Sequence, residues 1–189
     1  VFPGVKESGY SEEDKTGPLS VYGASKLAGE YEIVALYDRH FIFRISWLYG
    51  PYGKNFVHTM INLFEQRDEL NVVNDQYGSP TYTGELADFI VRLVNEDSEK
   101  YGVYHFSGEG ITNWHEFASE IYRLASQYGK TERKLRINPV DSSKYPQKAK
   151  RPLFSYMLKD KLYATFSCRP ENWKAALEKY IMTISNERK

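Results

Sequence analysis

Tyr22 and Lys26 stand four residues apart in Tyr22-Gly23-Ala24-Ser25-Lys26. On a helix that spacing puts both side chains on one face, one turn from each other, so a phenol and an ammonium share a site. A free tyrosine titrates near ~10 and is a slow acid at neutral pH, whereas a neighbouring cation stabilises the phenolate and brings it toward the working range. Such a pair can protonate a carbonyl oxygen or take a proton from an alcohol. The chain has 16 tyrosines, so this spacing also arises as a plain surface pair, and its surroundings must decide.

Three further places could bind a ligand. Ser46 and Trp47 lie toward the carboxyl end of an apolar, aromatic run over 41–49, where open α/β sheets hold their ligands; a core tryptophan is the plainer role. Asn55 and Phe56 open a helix after Gly50-Pro51-Tyr52-Gly53, and free N–H groups with the positive end of the dipole suit a diphosphate there; helix cap and core residue are the plainer roles. Arg151 offers a guanidinium for a bidentate phosphate contact. No metal site is expected, because His40, His58, His105 and His115 have no ligand spacing and His115-Glu116 lacks the second histidine of a zincin.

Helices and strands must position these groups. Val21, Leu27, Ala28, Tyr31, Val34 and Ala35 recur at helical spacing and predict a helix over 20–38. A strand over 41–49 follows, then a helix over 56–67, a strand over 70–74 and a loop over 75–83. Leu86 to Val94 repeats as a helix, 103–107 alternates as a strand, and Asn113 with Glu116 forms a capping box for a helix over 114–128. The tail carries Trp173, Leu177, Tyr180, Ile181 and Ile184 on one stripe, as a helix docked on the body. Alternating strands and helices of crossover length predict an α/β layered fold with a largely parallel sheet.

The 189 residues hold 25 Lys+Arg against 25 Asp+Glu, so no uniform field recruits nucleic acid or an anionic membrane. Residues 130–151 nevertheless carry Lys130, Arg133, Lys134, Arg136, Lys144, Lys148, Lys150 and Arg151 against Glu132 and Asp141. Tyr145 is the one aromatic among them and no DNA-binding module is matched, so nucleic acid is not an expected partner. A hydrophobic share of 41% supports one substantial core. Cys168 is the single cysteine, which excludes an intrachain disulfide and fits a reducing compartment. With no apolar run long enough to span a membrane, no secretory leader and no glycosylation sequon, a cytoplasmic protein without membrane contact is expected.

The string Pro18-Leu19-Ser20-Val21-Tyr22-Gly23-Ala24-Ser25-Lys26-Leu27-Ala28-Gly29-Glu30 resembles the active-site helix of extended short-chain dehydrogenases/reductases acting on nucleotide sugars. Four further blocks are similar to the dTDP-4-dehydrorhamnose reductase family within them: residues 44–50, residues 55–60, Asp75-Gln76-Tyr77-Gly78-Ser79-Pro80-Thr81, and Arg151-Pro152-Leu153-Phe154-Ser155. The resemblance implies a Rossmann-like three-layer sheet with a smaller carboxyl-terminal α/β substrate-binding region. Residues 1–50 and 84–107 fall mainly to the first part, 51–83 and 108–189 mainly to the second. It further implies reduction of the C4 ketone of dTDP-4-dehydro-β-L-rhamnose with hydride from NADPH or NADH. Tyr22 would be the proton donor, Lys26 would hold the nicotinamide ribose and acidify the phenol, and Ser46 would stand beside the nicotinamide. Trp47, Asn55, Phe56, Gln76 and Arg151 would face the substrate.

The sequence also departs from that family. It has no Gly-rich strand-to-helix turn for a cofactor pyrophosphate, and the hydroxyl member of the Ser/Thr-Tyr-Lys triad falls before Val1. The chain is therefore expected to be the carboxyl-terminal portion of a reductase, inactive by itself, with exposed strand edges that favour a homodimer. The choice between NADH and NADPH and any Mg²⁺ requirement are not encoded in these residues. Two other readings use the same residues: a non-catalytic regulatory subunit that keeps the reductase fold, and another nucleotide-sugar enzyme such as a 4-epimerase.

Overall fold

The computed structural model describes residues 1–144 and 151–184. Helix α1 (Val21–Leu36) begins where the Ser20 hydroxyl accepts the Gly23 N–H, a serine cap of the preferred kind. Strands β1 (Phe41–Arg44) and β2 (Leu48–Tyr49) follow, then α2 (Phe56–Gln66), β3 (Glu69–Val73), β4 (Tyr77–Gly78) and β5 (Thr81–Tyr82). Next come α3 (Thr83–Asn95), β6 (Gly102–His105), β7 (Thr112–Asn113) and α4 (Trp114–Gln127). The chain continues through β8 (Arg136–Val140), α5 (Asp160–Phe166) and α6 (Trp173–Thr183).

The pairing is mostly parallel, as strands separated by helices require. β1 runs parallel to β6, with Phe41 opposite Gly102 and Arg44 opposite His105. β2 is parallel to β5 and β3 to β8, while β4 and β7 form the antiparallel pair. The apolar run over 41–49 is not one strand: it breaks between Arg44 and Leu48, where Trp47 takes a left-handed φ of 47°. The expected loop over 75–83 contains β4 and β5, short pieces that pair only across long sequence separations. β8 and α5 had no clear signal, since β8 holds Pro139 among polar residues and α5 is seven residues long without a side-chain cap. The capping box before α4 is half formed. Asn113 Oδ1 accepts the Glu116 N–H, but the Glu116 carboxylate accepts from Thr112 Oγ1 instead of reaching back to residue 113.

Three apolar clusters carry the packing, the smallest being Phe2, Tyr10 and Met157, and the other two set the main elements. The larger gathers Val57, Met60 and Phe64 of α2, Phe117, Ile121 and Leu124 of α4, and Trp173, Leu177, Tyr180 and Ile181 of α6, so the tail helix docks as its stripe predicts. The smaller joins Phe89 and Leu93 of α3 to Tyr104 and Phe106, with Leu162 of α5 packed beneath β6. α1 behaves differently. Of its periodic apolar residues only Leu27 is buried, and Val21, Tyr31, Val34, Leu36 and Tyr37 are exposed, because no described element packs on that side. The basic stretch is partly neutralised: Arg133 makes an ion pair of 2.7 Å with Asp68, and the Lys130 ammonium donates to the Ile184 carbonyl. Tyr145, Lys148 and Lys150 lie outside the described residues. Among the described residues no helix is long and apolar enough to cross a membrane.

His105, at the end of β6, is fully buried, with Nε2 unpartnered and Nδ1 at 3.0 Å from the Leu158 carbonyl oxygen. Burial, assisted by the nearby Arg44 charge, pushes its pKa down to about 4. Folding therefore favours the neutral ring, while an unfolded chain takes up the proton near ~6.5. The stabilisation is complete above that value and is lost as the pH falls toward about 4. Urea unfolding should show stability falling by up to about 1.4 kcal/mol per pH unit through that window, with a shallower fall in His105→Gln; equal slopes in the two proteins would contradict this account.

Candidate active site

Helix periodicity places Tyr22, Lys26 and Glu30 on one stripe of α1, and all three line one cleft of about 460 Å³. The Lys26 ammonium lies 5.6 Å from the centroid of the Tyr22 ring. Gly23 faces the same cleft, with Phe43 and Arg44 of β1, Ile45 and Ser46 just beyond it, and Phe154 and Ser155 from the far side. The Tyr22 side is open, with the residue 71% exposed. Phenol and ammonium thus share a solvent-reachable cleft at the carboxyl end of β1, the end where parallel sheets bind ligands.

Below them Arg44 grips Glu30. Nε sits 3.1 Å from both carboxylate oxygens and Nη2 2.7 Å from Oε2, with side-chain exposures of 11% and 13%. The guanidinium also stacks over the Phe2 ring at 5.1 Å, while its Nη1 is buried without a partner. Lys26, Glu30's neighbour one turn earlier, forms no ion pair with a described residue.

Ser46 and Trp47 are held by the turn after β4. The Ser46 hydroxyl donates to the Ser79 carbonyl at 2.6 Å, Thr81 Oγ1 donates to the Ser46 carbonyl at 2.6 Å, and the Thr81 N–H reaches the Trp47 carbonyl at 3.2 Å. These bonds hold Trp47 in a conformation costing roughly 1–3 kcal/mol. The indole stacks on Trp114 at 3.8 Å and 15°, and Phe56 closes on Trp114 at 4.6 Å. Gly78 is needed beneath it, since a Cβ there would lie 3.0 Å from the Trp47 ring and 2.5 Å from Ser155 Oγ.

A second cavity of about 240 Å³ opens against Phe56 and Trp114 of that aromatic column. Phe56, Met60 and Trp114 give it an apolar wall, with Asn71, Gln76 and Arg151 as its polar members. Gln76 is 5% exposed, and its amide makes no hydrogen bond with a described residue. Segment 151–155 borders both cavities, Arg151 the second and Pro152, Phe154 and Ser155 the first.

Of the residues singled out from sequence, Tyr22, Lys26 and Ser46 meet in the cleft, and Phe56, Gln76 and Arg151 meet in the second cavity. Trp47 lines neither and stacks on Trp114, which lines the second. Asn55 caps α2: Oδ1 accepts the His58 N–H at 3.1 Å and Nδ2 donates to the Gly50 carbonyl at 2.8 Å. Glu30, Arg44, Met60 and Trp114 went unassigned in the sequence. Glu30 alone carried a signal, as the third member of an i, i+4, i+8 series. Among the described residues no group of three or more His, Cys, Asp or Glu could hold a metal ion.

A parallel α/β fold with a Tyr-x-x-x-Lys helix facing the carboxyl end of its strands defines a Rossmann-like fold of the extended short-chain dehydrogenase/reductase class. The chain belongs to the RmlD substrate binding domain family, which matches it over residues 1–186. It is 36% identical over 194 residues to a dTDP-4-dehydrorhamnose reductase of Sinorhizobium fredii, covering 100% of this chain and 65% of that protein. It is 39% identical over 182 residues to one of Aggregatibacter actinomycetemcomitans, covering 94% of this chain and 62% of that protein. Among solved structures, dTDP-4-dehydrorhamnose reductase of Bacillus anthracis in complex with NADP superposes with a TM-score of 0.90 at 38% identity, over 97% of this chain and 63% of that one. The chain thus spans less than two thirds of the length of these relatives.

The clamp on Ser46 and Trp47 yields a prediction. Thr81→Val keeps the shape but removes the donor to the Ser46 carbonyl, and should cost about 1–3 kcal/mol in urea unfolding. The near-ultraviolet circular dichroism of the Trp47–Trp114 stack should weaken in parallel. An unchanged spectrum and midpoint would show that the turn does not hold the tryptophan.

Proposed function

We infer that this chain supplies the proton-transfer and substrate-recognition parts of an enzyme that reduces the C4 ketone of dTDP-4-dehydro-β-L-rhamnose to dTDP-L-rhamnose. The observation that carries the reading is the Tyr22–Lys26 pair, phenol beside ammonium on one helix face, opening into a cleft large enough for a sugar and a nicotinamide. The names of the relatives support the substrate class.

The residues present fit the nicotinamide-ribose end of a dinucleotide. Lys26 is free of ionic partners among the described residues and can donate to ribose hydroxyls, and Gly23, whose missing Cβ makes room for Pro18, lines the same cleft. A bound reduced nicotinamide, from NADPH or NADH, supplies the hydride. Tyr22 gives its hydroxyl proton to the ketone oxygen, so the carbonyl becomes an alcohol with one hydride and one proton added. Lys26 stabilises the phenolate left behind. The Ser46 hydroxyl has spent its proton on Ser79, so it meets the cleft as an acceptor.

The second cavity suits the nucleotide end. Phe56, Met60 and Trp114 offer apolar and aromatic surface to a thymine, Gln76 an unpaired amide to its polar edge, and Arg151 a charge to the diphosphate. Asn55 serves through the α2 amino terminus it caps.

Incubating the complete protein with the 4-keto sugar and NADPH tests the reading. Nicotinamide oxidation coupled to a 4-hydroxy product is the expected result; no turnover would favour the regulatory subunit, and an epimerised product without net oxidation an epimerase. Tyr22→Phe should lower kcat by about 10²–10⁴ without disturbing the fold. Lys26→Met should raise the cofactor KM as well as lower kcat, and Arg151→Ala should act mainly on the KM for the nucleotide sugar. A Tyr22→Phe protein with normal kcat would remove the phenol from the mechanism.

A further inference from the structure

Lys26 has an ionic competitor built into its own helix. Glu30 lies one turn further on the same stripe and lines the same cleft, within reach of an i, i+4 salt bridge to Lys26, although Lys before Glu is the weaker order for such a pair. Closing it would draw the ammonium down the stripe, away from the Tyr22 ring over which it lies at 5.6 Å. It does not close, because Arg44 has taken the carboxylate: both Glu30 oxygens accept from its guanidinium at 2.7–3.1 Å, in a setting only 11–13% exposed. A planar, always-charged fork is the group that can saturate a carboxylate in this way. Around the pair, Phe2 stacks on the guanidinium from the amino-terminal segment.

We propose that Arg44 is a positioning residue that occupies Glu30 and so keeps the Lys26 ammonium available to Tyr22 and to a bound ribose. This rests on the functional reading above and goes beyond it in giving β1 an electrostatic part in arming the lysine on α1. Removing Arg44 leaves Glu30 as an uncompensated carboxylate one turn from Lys26, and the two pair. Removing the Glu30 charge at the same time abolishes the competitor, so the lysine returns to the phenol although the cross-link between helix and strand is still missing.

The test uses the complete protein with Arg44→Gln, Glu30→Gln and the double variant. Arg44→Gln should lower kcat by about 10- to 100-fold, on the scale of an impaired acid–base contribution, and raise the cofactor KM. Glu30→Gln and the double variant should stay within a few-fold of the unmodified protein. A double variant as impaired as Arg44→Gln alone, or an Arg44→Gln protein with normal kcat, would overturn the proposal, since a purely structural tie predicts no rescue. If Arg44→Gln does not fold, Arg44→Lys takes its place: it keeps a cation on Glu30 and should stay within a few-fold, as should the double variant, and loss of activity in either would overturn the proposal. If the unmodified protein has no reductase activity, the functional reading fails separately. The proposal is then decided by a crystal structure of the Arg44→Gln or double variant: Lys26 within about 4 Å of Glu30 in the single variant, and over the Tyr22 ring in the double, supports it, and Lys26 over the ring in the single overturns it.

Discussion

The contact between Arg44 and Glu30 decides which charges the α1 stripe presents to the cleft. α1 buries one side chain, Leu27, so apolar packing within the described chain does little to set its rotation or its height over the strands. The bidentate ion pair fixes the Glu30 carboxylate itself, because the guanidinium plane meets it in few orientations. Desolvating two charges offsets most of their attraction, so such a pair adds little net stability, and its value is in geometry. Here one end stands in β1, two residues before Ser46, and the other stands one turn past Lys26. Tyr22, Lys26, Glu30, Arg44 and Ser46 all line the one cleft.

A second constraint reaches across the molecule from the same strand end. Ser46 and Trp47 are bonded to Ser79 and Thr81, and Trp47 pays for its left-handed backbone with a stack against Trp114. That column of rings is continued by Phe56, and Phe56 and Trp114 give the second cavity its aromatic wall. Strain at a bulky residue persists only where its surroundings over-determine it. The bonds from the 79–81 turn and the closeness of Gly78 supply that over-determination.

What the sequence made legible were features with a local period or a local partner. The Tyr22–Lys26 stripe, the Asn55 and Asn113 caps, and the docking stripe of α6 all follow from spacing along one element, and each has its place in the structure. What stayed hidden depended on contacts between distant segments. The break at residues 45–47 is imposed by residues 79–81, the short strands β4 and β5 exist only through β7 and β2, and Arg44 reads as an ordinary strand residue until Glu30 is placed opposite it. Trp114 shows the same limit: its position after a capping asparagine predicts a helix start, whereas its work is to stack on Trp47 and wall the second cavity. The apolar face of α1 shows the converse, a periodicity that announces burial on a side where no described element lies.

On the proposed reading, chemistry and recognition occupy two cavities bordered by one segment, residues 151–155. Tyr22 and Lys26 can exchange a proton with any carbonyl or alcohol brought to the cleft, so they specify a reaction and leave the substrate open. Discrimination must come from contacts that only the right molecule completes. Gln76 is suited to that task because an unpaired, nearly buried amide penalises any ligand that leaves it unsatisfied. Arg151 adds a charge that requires an anion. Since segment 151–155 borders both cavities, a diphosphate held by Arg151 stands a few residues from Phe154 and Ser155, which face the Tyr22 side. Binding energy gathered at the nucleotide end is in that way converted into the position of the sugar carbonyl beneath the phenol, where differences in placement appear as differences in rate.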